Sequence, residues 1–233
     1  MPEKLERYTV YACVLIGLWS AWLHFFSPLD GYWQNFFFVD GHWLVDENEP
    51  ILKWLLYKGP KIICTIVGVA AAVRLAMHFW FKKPLNGQRV AGLLTFVITI
   101  AVYPTLIALL KDLIRQPCPR DLVQYGGAYG GSLTDFFLNR GDILCFPGAH
   151  ASAPFSFLAL AFVFTDRANR ALFLFVVLPL AFFIGFYQVA KGAHFVSDTI
   201  CTAAFSWVFI SLVHGAVLRI RRRPKLSRTS HPV

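Results

Sequence analysis

Charge is scarce in this sequence. Asp, Glu, Lys and Arg make up 15% of its 233 residues, against about a quarter in a water-soluble domain, so an ordinary soluble fold is excluded. Its five cysteines (Cys13, Cys64, Cys118, Cys145 and Cys201) form no CxxC pair and no Cys/His finger spacing, which removes structural zinc. It has no internal repeat, no low-complexity tract and no Gly-rich loop of the kind that cradles a nucleotide phosphate. No carboxylate–histidine cluster suggests a metal centre, and no cofactor is expected. What is present is apolar: 57% hydrophobic residues, with 23 Phe and seven Trp. Such a chain reads as an all-α integral membrane protein forming one transmembrane domain over residues 1–233.

A membrane span needs about 20 mostly apolar residues. Six stretches qualify or come close: roughly 8–26, 61–81, 90–110, 149–165, 171–190 and 199–218. The fourth is short and needs its flanks to complete a crossing. The first follows a mixed-charge start and no small-residue cleavage site, so it reads as a retained helix rather than a removed signal. The expected architecture is therefore a six-helix bundle.

The distribution of charge orients the bundle. Segments 1–7, 82–89, 166–170 and 219–233 hold 13 Lys and Arg against three acids, whereas 27–60, 111–148 and 191–198 hold ten acids and fewer bases. The positive-inside rule places the first group, and with it both termini, in the cytoplasm. The net charge of +9 is thus mostly a topology signal. The basic tail at 219–233 reads as an anchor at the cytoplasmic surface, not as a nucleic-acid site. The loops 111–148 and 191–198 then share the opposite, outer side.

Those two loops carry most of the residues capable of chemistry, in three clusters at span ends: KDLIRQPCPRD at 111–121, CFPGAHAS at 145–152 and QVAKGAHFVSD at 188–198. His194 and Asp198, four residues apart, share one helix face. The carboxylate can hold the proton of one imidazole nitrogen and leave the other to attack as a base or nucleophile. His150 stands at a helix start behind Gly148 and Ala149, where uncovered backbone N–H groups favour an anion and an imidazole can protonate a leaving oxygen. Lys111, Arg115, Arg120 and Lys191 add positive charge on the same side. Clustered cations and backbone donors are what stabilise a phosphoryl group in transfer, so metal-free phosphoryl transfer through a histidine fits this set.

In these three clusters the sequence resembles the type-2 phosphatidic acid phosphatase superfamily of membrane lipid phosphatases. That family's pattern reads K-x6-R-P, then P-S-G-H, then S-R-x5-H-x3-D, and the likeness covers roughly residues 90–218. The resemblance implies that His194 attacks phosphorus to form a phosphohistidine and that Asp198 orients it. It further implies that His150 protonates the leaving group and Lys111 binds phosphate. The sequence departs from the pattern at three places: Cys118-Pro119 stands for Arg-Pro, Pro147-Gly148-Ala149-His150 for Pro-Ser-Gly-His, and Gln188 for the second Arg. Phosphate binding is then expected to fall to Arg115 or Arg120, Lys191 and Gln188, with the backbone of Gly148 and Ala149.

Cys118 and Cys145 each adjoin a motif in the outer loop, where a disulfide would persist, and two readings stay open for them, a bridge or two buried thiols. The expected partner is the phosphate or diphosphate of a membrane lipid (lipid A, isoprenoid diphosphate or phosphatidyl phosphate class) presented at the periplasmic face of a bacterial inner membrane. Two other readings stay open in the sequence: a phosphotransferase using the same intermediate, and a lipid-phosphate binding or transport protein without turnover.

Overall fold

The computed structural model describes residues 3–130 and 145–222, with backbone only for residues 3–5, 149 and 150. Its long elements are helices: α1 (Glu3–Phe26), α3 (Pro50–Phe79), α4 (Gly87–Ile114), α6 (Arg167–Ala190) and α7 (Val196–Arg222). Between α1 and α3 lie the short helix α2 (Leu29–Asn35) and a hairpin of β1 (Phe38–Val39) and β2 (His42–Trp43). The hairpin turns at Asp40-Gly41, both at positive φ (50° and 78°), the backbone that an Asp-Gly turn supplies.

Local chemistry explains where the helices begin and change. Asn86 caps α4 by accepting from Arg89 N, and Asp166 caps α6 by accepting from Ala168 N and Asn169 N. Inside α3 the turn Trp54–Lys58 widens to a π-helix just before Pro60, whose ring displaces the carbonyl four residues back and supplies no N–H.

Five of these helical stretches are long and apolar enough to cross a membrane, so this is a multi-pass membrane protein. The fourth expected span falls on α5 (Ala149–Ser156), which tightens into a 3₁₀ segment, Phe157–Val163, and is not among the five. Its apolar stretch, Ala151–Val163, is shorter than the others. At about 1.5 Å per α-residue and 2.0 Å per 3₁₀ residue the two parts together reach about 26 Å, near the ~30 Å hydrocarbon thickness.

The helix α7 is the axis of the bundle. Half of its most apolar window is buried, against 17% for α1 and for α3. It runs antiparallel to α1, with Trp207 Nε1 donating to Thr9 Oγ1 (3.3 Å) at one end and Ser20 Oγ donating to the Ser197 carbonyl (2.7 Å) at the other. The core joins Phe96 of α4, Phe155 and Ala159 of the α5 segment, Ala181 of α6 and Ile210 of α7. Small residues permit this closeness: a Cβ on Gly92 would come within 2.5 Å of the Phe162 carbonyl oxygen. Outward faces carry large apolar side chains such as Leu15, Ile66, Phe175 and Leu212, as a lipid-facing surface requires.

Candidate active site

The end of α4 and the starts of α5 and α7 meet at one end of the bundle, where α1 and α6 also finish. Both described chain ends lie at the other. The turn between α6 and α7 is set by Gly192, at φ 71°, whose N–H donates to Val189 O. A Cβ there would lie 2.4 Å from the Trp43 ring, so only glycine lets the hairpin close over this turn. Gln34 Nε2 donates to Val189 O and Val45 N to Ala190 O, tying the 27–60 segment to the same end of α6.

His194 follows that turn and is 1% exposed. Its Nδ1 lies 3.2 Å from Asp198 Oδ2, which also accepts from Phe195 N (3.0 Å). A carboxylate only accepts, so Nδ1 carries the ring proton and Nε2 the lone pair. Burial pushes the His194 pKa down and Asp198 pulls the other way. Burial prevails, with the charges of Lys111 and Lys191 adding to it, which keeps the ring neutral.

Asp198 has a second, unanticipated neighbour. His24, from the end of α1, places Nδ1 at 3.2 Å from Asp198 Oδ1, 3.0 Å from Asp30 Oδ2 and 3.0 Å from Ser197 Oγ. Its Nε2 lies 2.5 Å from Gln116 Oε1, and its ring stacks on Phe146 at 4.5 Å. Ser197 closes the group by donating from its N–H and its hydroxyl to Asp30. Sequence reasoning missed His24 because it has no chemically suggestive neighbour in the chain. The one available signal was a histidine and an aspartate six residues apart at an outer span end.

The expected phosphate-binding residues divide. Lys111, half-buried in the last turn of α4, lies near enough for its charge to act on His194. Lys191 stands over the rings of Tyr57 and Tyr187, and burial followed by the charge of Arg120 lowers its pKa. Arg120 pairs with Glu47 while its N–H donates to Gly192 O. Gln188 is buried, its Oε1 without a hydrogen-bond partner. Arg115 turns back on its own helix to Asp112, away from the cluster. The N–H of Gly148, expected to face an anion, donates instead to Thr202 Oγ1 (3.1 Å). Ala149 and His150 form the first turn of α5, and their side chains lie outside the described residues.

Of the two readings open for Cys118 and Cys145, the structure shows the thiols and no bridge. Both remain thiols, buried side by side, with a hydrogen bond between them. Cys145 Sγ donates to Ala193 O (3.1 Å), which satisfies it without a disulfide.

Fold and site together define a helical membrane protein with a buried histidine–aspartate couple and cations gathered at one bundle end. The sequence profile of the PAP2 superfamily matches residues 91–222, more than half of the chain, and the chain belongs to that superfamily. Among solved structures it is similar to a transmembrane PAP2-type phosphatidylglycerolphosphate phosphatase from Bacillus subtilis. The TM-score is 0.60 at 16% identity, covering 93% of this chain and 99% of that one. No protein of curated function matches it in sequence. The fold is that of a membrane PAP2 phosphatase.

Proposed function

We propose that this protein is a metal-independent lipid phosphatase that removes phosphate from a membrane lipid at the outer face of a bacterial inner membrane. The observation that carries the reading is the buried His194–Asp198 couple, with its tautomer fixed and its ring held neutral. His194 Nε2 attacks phosphorus as the bond to the lipid oxygen breaks. His150, in the first turn of α5, gives that oxygen its proton. Water then attacks the phosphohistidine, the N–P bond breaks, and His150 takes the water's proton back. Lys111 and Lys191 balance the charge on the phosphoryl oxygens.

A lipid phosphate, lipid diphosphate or phosphatidyl phosphate could each reach the site laterally, tails between helices, and the B. subtilis neighbour's name favours the phosphatidyl class. Six spans with both termini cytoplasmic complete the proposal, with α5 as the sixth. Burial of His194 also suits transfer of the phosphoryl group to a second lipid, since an acceptor delivered from the bilayer would need no open water path.

The test is inorganic phosphate release from a panel of lipid phosphates and diphosphates in detergent, with chelator present, beside His194→Ala. Release that survives chelation and disappears in the variant is the expected result. Release that persists in His194→Ala would overturn the assignment, and phosphate found on a second lipid rather than in solution would identify transfer.

A further inference from the structure

Cys145 has no part in the reaction described above, yet its thiol is packed against the nucleophile. Its Sγ lies 3.6 Å from His194 Nδ1 and 3.6 Å from Asp198 Oδ2, and those two atoms are 3.2 Å apart. All three residues are buried, and among the described residues they group as possible metal ligands. A tetrahedral zinc ion holds sulfur at about 2.3 Å and nitrogen or oxygen at about 2.0–2.1 Å. Simple trigonometry on those lengths gives S···N and S···O edges of about 3.5–3.6 Å and an N···O edge of about 3.3–3.4 Å. The three observed separations are thus nearly one face of that tetrahedron. Three protein ligands would leave the fourth position of the tetrahedron to water.

We propose that Cys145, His194 and Asp198 form an inhibitory site for a thiophilic divalent cation of the zinc class. The resting cluster is already closed by its own hydrogen bonds, so folding does not require the ion. Binding at Nδ1 moves the ring proton to Nε2, and the Cys145 thiol gives its proton to solvent as the metal–sulfur bond forms. With hydrogen on Nε2 the ring has no lone pair for phosphorus, and Asp198 is held by the ion. Inhibition in this form rests on His194 attacking through Nε2. Metal binding does not.

The experiment therefore reads binding and turnover separately. Purified full-length protein, stripped with chelator, is titrated with Co²⁺ as the spectroscopic probe. The expected result is a near-ultraviolet thiolate-to-cobalt band with visible bands of tetrahedral Co²⁺, all bleached by Zn²⁺ and lost in Cys145→Ser. Phosphate release should be suppressed by Zn²⁺ and restored by chelator. Cys145→Ser should keep basal release and need at least about tenfold more Zn²⁺, since losing even an outer-shell partner costs metal affinity about that much. Absence of a thiolate–cobalt band in the wild-type protein overturns the proposal whether or not Cys145→Ser folds. Equal Zn²⁺ sensitivity in wild type and variant overturns it as well. A cobalt band in a protein that releases no phosphate upholds the site and counts against the phosphatase reading alone.

Discussion

Asp198 serves two imidazoles, and the chemistry of this site turns on that sharing. One carboxylate oxygen fixes the tautomer of His194 while the other faces His24, which also lies against Asp30. Two buried carboxylates beside one ring need a compensating partner. His24→Ala should therefore cost about 3–5 kcal/mol, measured as loss of thermal stability in detergent. His24→Gln, which can still hydrogen-bond to Asp30, should lose less. Asp198→Asn should lower kcat by about 10²–10⁴ with a smaller change in KM, because the neutral amide no longer fixes the His194 tautomer. Burial holds His194 below the ordinary histidine pKa, so its proton arrives late as pH falls. The neutral, attacking form then persists below about pH 6.5, and the acid limb of kcat/KM should lie under that value. An acid limb at or above pH 7 in a pH–rate profile would contradict this reading.

Helices place these side chains because they approach one another unusually closely. Gly92 lies against the backbone of the α5 segment, and Gly185 lies against Thr199 on α7, where a Cβ would come within 2.4 Å of the threonine methyl. Gly92→Ala should force α4 and the α5 segment apart and cost about 1–3 kcal/mol, read from the same unfolding measurement. The α6–α7 turn is less forgiving. Gly192→Ala meets both a positive φ and the Trp43 ring, so it should displace His194 and lower phosphate release more than it lowers stability. Asn86 and Asp166 were not singled out in the sequence, though both are residue types that cap helix starts. The π-turn before Pro60 follows from the proline itself. The 3₁₀ character of Phe157–Val163 has no such signal in the chain.

Taken whole, the molecule separates a basic end from a reactive end. Trp207 beside Thr9 and Ser197 beside Ser20 put both described chain ends together, away from His194. In the proposed orientation, which rests on the charge asymmetry, the basic end lies in the cytoplasm. A cysteine placed at exposed Asn48 should accordingly react with an impermeant maleimide in intact cells. One placed at exposed Lys83 should react only after the membrane is opened. The reverse pattern would turn the site to the cytoplasm and remove an outer-leaflet lipid as substrate.

Composition and local pattern determined that the chain is helical, that it lives in a bilayer, and that His194 and Asp198 are near neighbours; they do not share a helix face, because His194 sits in the turn before α7, which begins at Val196. Each of these depends on residues within a few turns of one another, where periodicity and solvent preference act directly. The three clusters were legible for the same reason, since each is contiguous. Tertiary structure alone decided the rest. His24 reaches Ser197 across 173 positions, and Cys145 reaches Asp198 across 53. Arg115 and Gly148, chosen by spacing, spend their donors on Asp112 and Thr202 instead. A donor's partner is set by which atoms packing brings within about 3 Å, and packing of α1, α4 and α5 around α7 is not encoded in any one segment.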